Sequence, residues 1–165
     1  MKRFLPVIFF LSIPLFAQSS VALRWEKLAE CMPKIEKVAD LKRGELTGGN
    51  EPNAYVSLLY YNSAEIMERS KEIQILLDDF ITQEEFIEDN LGNAPEFSKP
   101  ILVNGKYKGV KIISVYDSVV EYCTYHIVVA GRFLISLRST TEGDFTKEIE
   151  ILIDNFDFNM MAKLK

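Results

Sequence analysis

Four β-rich runs follow one another between Ile101 and Arg138 with only turn residues between them, and they leave the chain little choice of fold. The runs are Ile101 to Val103, Val110 to Val115, Tyr122 to Ala130 and Arg132 to Arg138. Parallel neighbours need a crossover of about a dozen residues or more, whereas antiparallel neighbours need only a tight turn. The gaps here are too short for crossover helices. Ala130-Gly131, between two strong runs, predicts a tight antiparallel hairpin. In the last run Phe133, Ile135 and Leu137 alternate with Arg132, Leu134, Ser136 and Arg138. Such alternation puts one face in the core and the other near water.

The rest of the chain fits around that sheet. Tyr55 to Tyr61 is rich in β-formers and predicts a strand. Turn-rich stretches at Lys42-Arg43-Gly44 and Gly48 to Pro52 bracket at most one weak strand near Gly44 to Thr47. From Ser63 to Phe80 the period is ambiguous. Ile73 to Leu77 reads as a strand, yet Ile66, Ile73, Leu76, Leu77 and Phe80 would also share a helix face. We read strand over 72–78, with helix as the alternative. Leu23 to Met32 predicts a short helix stopped by Pro33. Thr82-Gln83-Glu84-Glu85 has capping-box form ahead of Phe86, Ile87 and Leu91. Thr140 to Asp144 caps a last helix carrying Ile149, Leu152, Ile153 and Phe156 on one side, and Phe158 to Leu164 adds a further turn or two. The expectation is a single α+β domain, an antiparallel β-sheet with three short helices packed on it.

The opening of the chain reads as an address. Met1-Lys2-Arg3 is basic, Phe4 to Phe16 is apolar, and Ala17, Ser19, Ser20 and Ala22 are small. That order is a secretory signal peptide over 1–22, ahead of a domain at 23–165. The apolar run is too short for a membrane span, which needs about 20 residues. Processing removes Lys2 and Arg3, so the formal charge of −5 becomes more negative still. An acidic domain is repelled by phosphate backbones, which argues against nucleic acid. No later segment has the length and apolarity of a membrane span, so the expected location is periplasmic or secreted, with no transmembrane segment in the mature chain. Arg24, Glu26, Lys27 and Glu30 separate Cys31 from the apolar run and argue against a lipid anchor there.

The only cysteines are Cys31 and Cys123. Export to an oxidising compartment makes a Cys31–Cys123 disulfide an expectation, with two small buried thiols as the alternative.

Catalytic chemistry finds few footholds. The one histidine, His126, shares a strand face with Tyr122, Thr124 and Val128. A triad would pair it with Ser114, Ser118 or Ser136 and an acid, but no Gly-x-Ser-x-Gly elbow exposes a serine. One His and two distant Cys do not supply a soft-metal ligand set. Asp78, Asp79, Glu84, Glu85, Glu88, Asp89 and Asn90 offer oxygen ligands without the calcium-loop pattern, and read better as caps and a solvated helix face. Thr47-Gly48-Gly49-Asn50 lacks the lysine and helix of a phosphate loop. We therefore assign no catalytic residue, no metal and no cofactor. Strand tyrosines (Tyr55, Tyr60, Tyr61, Tyr107, Tyr116, Tyr122, Tyr125) read mainly as core-edge residues. Lys106, Lys108, Lys111, Arg132 and Arg138 are candidates for a basic patch on the same sheet. The face carrying Tyr122, Thr124 and His126 is the candidate binding surface, for an unknown protein or small-molecule partner in the cell envelope. The expected function is a non-catalytic binding or envelope interaction protein. The competing reading is a periplasmic hydrolase or metal-assisted enzyme using carboxylates or His126.

Several short segments resemble a group of small exported bacterial proteins of unknown function. These are Leu28 to Ile35, the strand around Gly109, Gly131-Arg132-Phe133, Ile153 to Phe156 and Met161 to Lys165. Glu36-Lys37 stands where those proteins usually carry Gly-Trp. The layout is also similar in topology to the PsbP-like α/β/α sandwich. Neither resemblance implies an activity or a catalytic residue.

Overall fold

The structure, a computed structural model, describes residues 24–62, 71–79, 87–88, 97–139 and 143–164. Helix α1 (Trp25–Ala29) is followed by strands β1 (Lys37–Val38), β2 (Leu41–Gly49), β3 (Tyr55–Tyr61) and β4 (Glu72–Asp79). Then come β5 (Ser98–Val103), β6 (Tyr107–Tyr116), β7 (Val119–Val129) and β8 (Phe133–Ser139), and helices α2 (Thr146–Asp154) and α3 (Phe158–Lys163). The eight strands form one antiparallel sheet in the order β1-β2-β3-β4-β8-β7-β6-β5. It is two four-strand meanders laid side by side, the second reversed so that β8 pairs with β4. The expected α+β domain is what the chain forms.

The hairpins of the second meander share one device. Asn104-Gly105, Asp117-Ser118 and Ala130-Gly131 each place two successive residues at φ between 49° and 66°. That left-handed pair twists the chain in the same sense as its flanking strands. Lys106 N–H donates to the Val103 carbonyl (3.0 Å) and Arg132 N–H to the Val129 carbonyl (3.1 Å), closing two of the turns.

Alternation along the strands sorts side chains to two faces. One face carries Leu58 and Tyr60, Ile73 and Ile75, Ile135 and Leu137, and Tyr125 and Ile127, all buried. It packs in one cluster with Leu28 of α1, Ile149, Leu152 and Ile153 of α2, and Phe158 and Met161 of α3. Each such side chain contributes about 1.5–3 kcal/mol by leaving water. Tyrosines can join this core because their hydroxyls find acceptors. Tyr60 donates to the Ile35 carbonyl (2.7 Å) and Tyr125 to Glu150 Oε1 (3.0 Å). The opposite face holds a smaller cluster of Ile87, Val110, Val128 and Leu134, with Ile112 packed against it.

Several local expectations are refined. The ambiguous stretch is strand over Glu72–Asp79, because β3 and β8 flank it on both sides and alternate residues are buried. β2 is longer than the weak strand expected, and β1 adds a two-residue edge. The last helix breaks at Asn155 to Asp157, where the Asp157 carboxylate accepts from Met160 N–H (2.8 Å) and starts α3. The expected leader over 1–22 and the expected capping box at 82–85 lie outside the described residues; Ile87 and Glu88 are helical.

The expected Cys31–Cys123 disulfide is overturned: both cysteines are free and buried. Cys31 follows α1, which packs over β2 and β3, and its Sγ lies 3.8 Å from the Lys27 carbonyl. Cys123 is on β7 beneath α2, its Sγ 3.8 Å from Thr146 Oγ1. β7 lies three strand spacings from β3, about 14 Å at the usual strand separation. A disulfide needs Cα atoms within about 7 Å. Burial pushes the Cys31 thiol up to about 11 and raises that of Cys123, so both remain protonated.

Candidate functional site

The sheet face away from the main core is a lattice fixed by strand register. One row across β4, β8, β7 and β6 reads Gln74, Arg138, Thr124, Ile112. The row two residues along reads Leu76, Ser136, His126, Val110. The central strands β8 and β7 supply most of the polar groups, and the flanking strands supply Gln74 and Leu76 on one side and Ile112 and Val110 on the other. Over these rows lies a cavity of about 390 Å³. Among the described residues it is lined by Gln74, Leu76, Ile112, Tyr122, Thr124, His126, Ser136 and Arg138.

All three residues named from sequence, Tyr122, Thr124 and His126, therefore meet in one cavity. Residues i, i+2 and i+4 of a strand share a face, which is why β7 presents them together. The other five come from neighbouring strands. Gln74, Leu76 and Ile112 are not singled out by sequence reasoning. Ser136 entered only as a candidate nucleophile, and Arg138 only as part of a basic patch. The alternation in β8 and the turn at Ala130-Gly131 carry the missing signal, because that turn sets His126 opposite Ser136.

His126 Nδ1 and Ser136 Oγ are 2.8 Å apart, a cross-strand hydrogen bond. Burial lowers the His126 pKa, so the imidazole is neutral at pH 7. The Arg138 guanidinium lies 5.0 Å from the centre of the Tyr122 ring, a cation–π contact. No carboxylate among the described residues ion-pairs with Arg138. Thr124 is only 7% exposed, and its hydroxyl makes no hydrogen bond to another described residue. A buried hydroxyl without a partner costs about 1–3 kcal/mol.

The His126–Ser136 pair resembles the start of a hydrolytic dyad, but its surroundings do not suit acyl transfer. Ser136 sits mid-strand, with β4 on one side and β7 on the other. The backbone amides around it are held in ladder bonds and are not free to stabilise an oxyanion. Ser114 Oγ instead donates to Glu121 Oε2 (3.0 Å). The basic residues do not gather. Arg132 pairs with Asp79 at the β7–β8 turn, Lys111 lies 3.7 Å from Glu150 on the core face, and Lys106 stands over Tyr107. Among the described residues no group of three or more His, Cys, Asp or Glu side chains is placed to hold a metal ion. Asp78 is raised by burial, and Asp79 is committed to Arg132.

A second cavity, about 690 Å³, opens on the helix side between the 30–35 segment, the β5–β6 turn and the α2–α3 junction. It is larger, and two of its polar groups serve the fold itself. Asp157 caps α3, and Asn155 Nδ2 donates to the Ile151 carbonyl (2.8 Å). Its Tyr107 and Phe158 rings are buried and stacked at 5.1 Å, with no face to offer a ligand.

Among the described residues no helix is long and apolar enough to cross a membrane. No family model, no curated protein and no solved structure matches the chain, so its likenesses rest on the short segments given above.

Proposed function

We propose that this chain is a non-catalytic binding protein of the cell envelope, exported by its leader over 1–22, and that it holds a small molecule in the sheet-face cavity. The observation that carries the reading is the convergence of Tyr122, Thr124 and His126 with Arg138 in one cavity, where a buried Thr124 hydroxyl has no partner among the described residues. A volume of about 390 Å³ falls within the usual range of small-ligand sites, roughly 300–1,000 Å³. Its mixture of apolar walls with a few convergent polar groups is also that of such sites. A fragment screen followed by backbone NMR tests it. Binders should shift the amides of Thr124, His126, Ser136 and Arg138. Fragments that bind only elsewhere, or none at millimolar concentration, would overturn the reading.

The hydrolase reading has one observation on its side, the 2.8 Å His126–Ser136 bond. A fluorophosphonate probe separates the two. A binding protein leaves the probe unreacted, whereas labelling that disappears in Ser136→Ala would establish a nucleophile.

A further inference from the structure

The chemistry of the cavity also selects a class of ligand, an inference that rests on the binding reading above. We propose that the sheet-face cavity binds a small organic acid, a single carboxylate on an apolar body, with the carboxylate held between Arg138 and Thr124.

Thr124 and Arg138 are direct cross-strand partners on the cavity face. One offers a buried hydroxyl with no bond to another described residue, the other a guanidinium with no carboxylate partner among the described residues. An arginine fork matches the two oxygens of a carboxylate, and a hydroxyl can donate to one of them. Tyr122 holds the guanidinium by its ring face, which leaves the guanidinium edge, where the N–H groups lie, available to an anion.

The charge count points to a monoanion. Arg138 is the only cationic side chain among the described lining residues, and burial keeps His126 neutral beside it. One positive charge balances one carboxylate. A phosphate near −2 would sit under-compensated on a chain whose net charge is already −5. The apolar body follows from the flanks. Leu76 and Ile112 wall the cavity on either side of the polar strands, and Ile112 continues into the Ile87, Val110, Val128, Leu134 cluster. The His126–Ser136 pair lies one row beyond Thr124 and satisfies its own hydrogen bond, so it presents little further polarity to the ligand.

Calorimetry with sodium octanoate, 1-octanol and inorganic phosphate, paired with NMR mapping, tests this. Octanoate should bind at the Thr124–Arg138 row, at least tenfold more tightly than octanol, and phosphate should not bind there. Arg138→Gln should weaken octanoate at least tenfold and leave octanol unchanged. Thr124→Val, nearly the same shape, should weaken octanoate about fivefold. Arg138 is exposed, so its variant should melt with the parent; if it does not, Arg138→Lys, which keeps the charge but loses the fork, gives the same comparison. Octanol binding as tightly as octanoate, or phosphate binding in the cavity, would overturn the carboxylate assignment while leaving the binding reading standing. Failure of all three probes together with an empty fragment screen would overturn both.

Discussion

Arg132 grips Asp79 with two nitrogens, Nε to Oδ1 at 2.6 Å and Nη2 to Oδ2 at 2.7 Å. Asp79 ends β4 and Arg132 lies in the turn between β7 and β8, so the pair fastens one meander to the other. Arg132 Nη1 also donates to the Leu164 carbonyl (3.1 Å) just after α3. Asp79 is only 8% exposed, and removing its partner leaves a nearly buried charge. Arg132→Ala should therefore cost about 2–4 kcal/mol, slightly below the range for a fully buried pair because the arginine is partly wetted. Urea unfolding measures it, and a loss under 1 kcal/mol would contradict the argument.

The imidazole of His126 predicts a dependence on pH. Burial lowers its pKa in the folded protein below the ordinary 6.5, so the unfolded chain takes up a proton first as pH falls. The stability from this group is complete above about pH 6.5 and is lost as pH drops through the lower folded value. Urea midpoints between pH 7.5 and 5 should decline more steeply for the parent than for His126→Gln. Parallel slopes would show that the ring is not held neutral.

Both thiols should be silent in the native protein. Buried and protonated, Cys31 and Cys123 should resist an aromatic disulfide reagent until denaturant is added, when two thiols per chain should react. The melting temperature should be unmoved by reductant. A denatured, unreduced chain with no reactive thiol would refute the free-cysteine arrangement.

Gly48 is where Trp25 lies against the sheet. A Cβ there would stand 2.8 Å from Trp25 Cδ2 and 2.6 Å from the Tyr55 carbonyl oxygen. The Trp25 backbone N–H donates to Asn50 Oδ1 (2.8 Å), which ties the start of α1 to the residue after β2. Gly48→Ala should displace the indole and destabilise the protein by about 1–3 kcal/mol. As the chain has a single tryptophan, its emission reports the change directly: a red shift with loss of stability is expected, and an unchanged spectrum would argue against the packing.

Local physics wrote most of the strands into the sequence. Tyr55–Tyr61 is legible as β because its aromatic and branched residues suit a pleated surface, and Phe133–Ser139 because its apolar residues alternate. The partner of β4 is not legible. That β8 lies beside it depends on which edge the second meander presents, a choice made by the whole sheet. The same non-local step hid one wall of the cavity. Tyr122, Thr124 and His126 announce themselves within one strand, but Gln74 and Leu76 join them only through the β4–β8 pairing. The cysteines fail for a related reason. Their spacing along the chain carries no information about the strands that separate them, and those strands hold them apart.

The seam between β4 and β8 has a consequence for how the chain comes into being. A polypeptide delivered amino end first completes its first meander early, then carries β4 as a bare, hydrogen-bond-hungry border until Phe133 and its neighbours arrive. Until that late strand slots in, half-made molecules have a sticky margin that any extended segment can occupy. A truncation just before Phe133, which leaves that border uncovered, is the form that should aggregate.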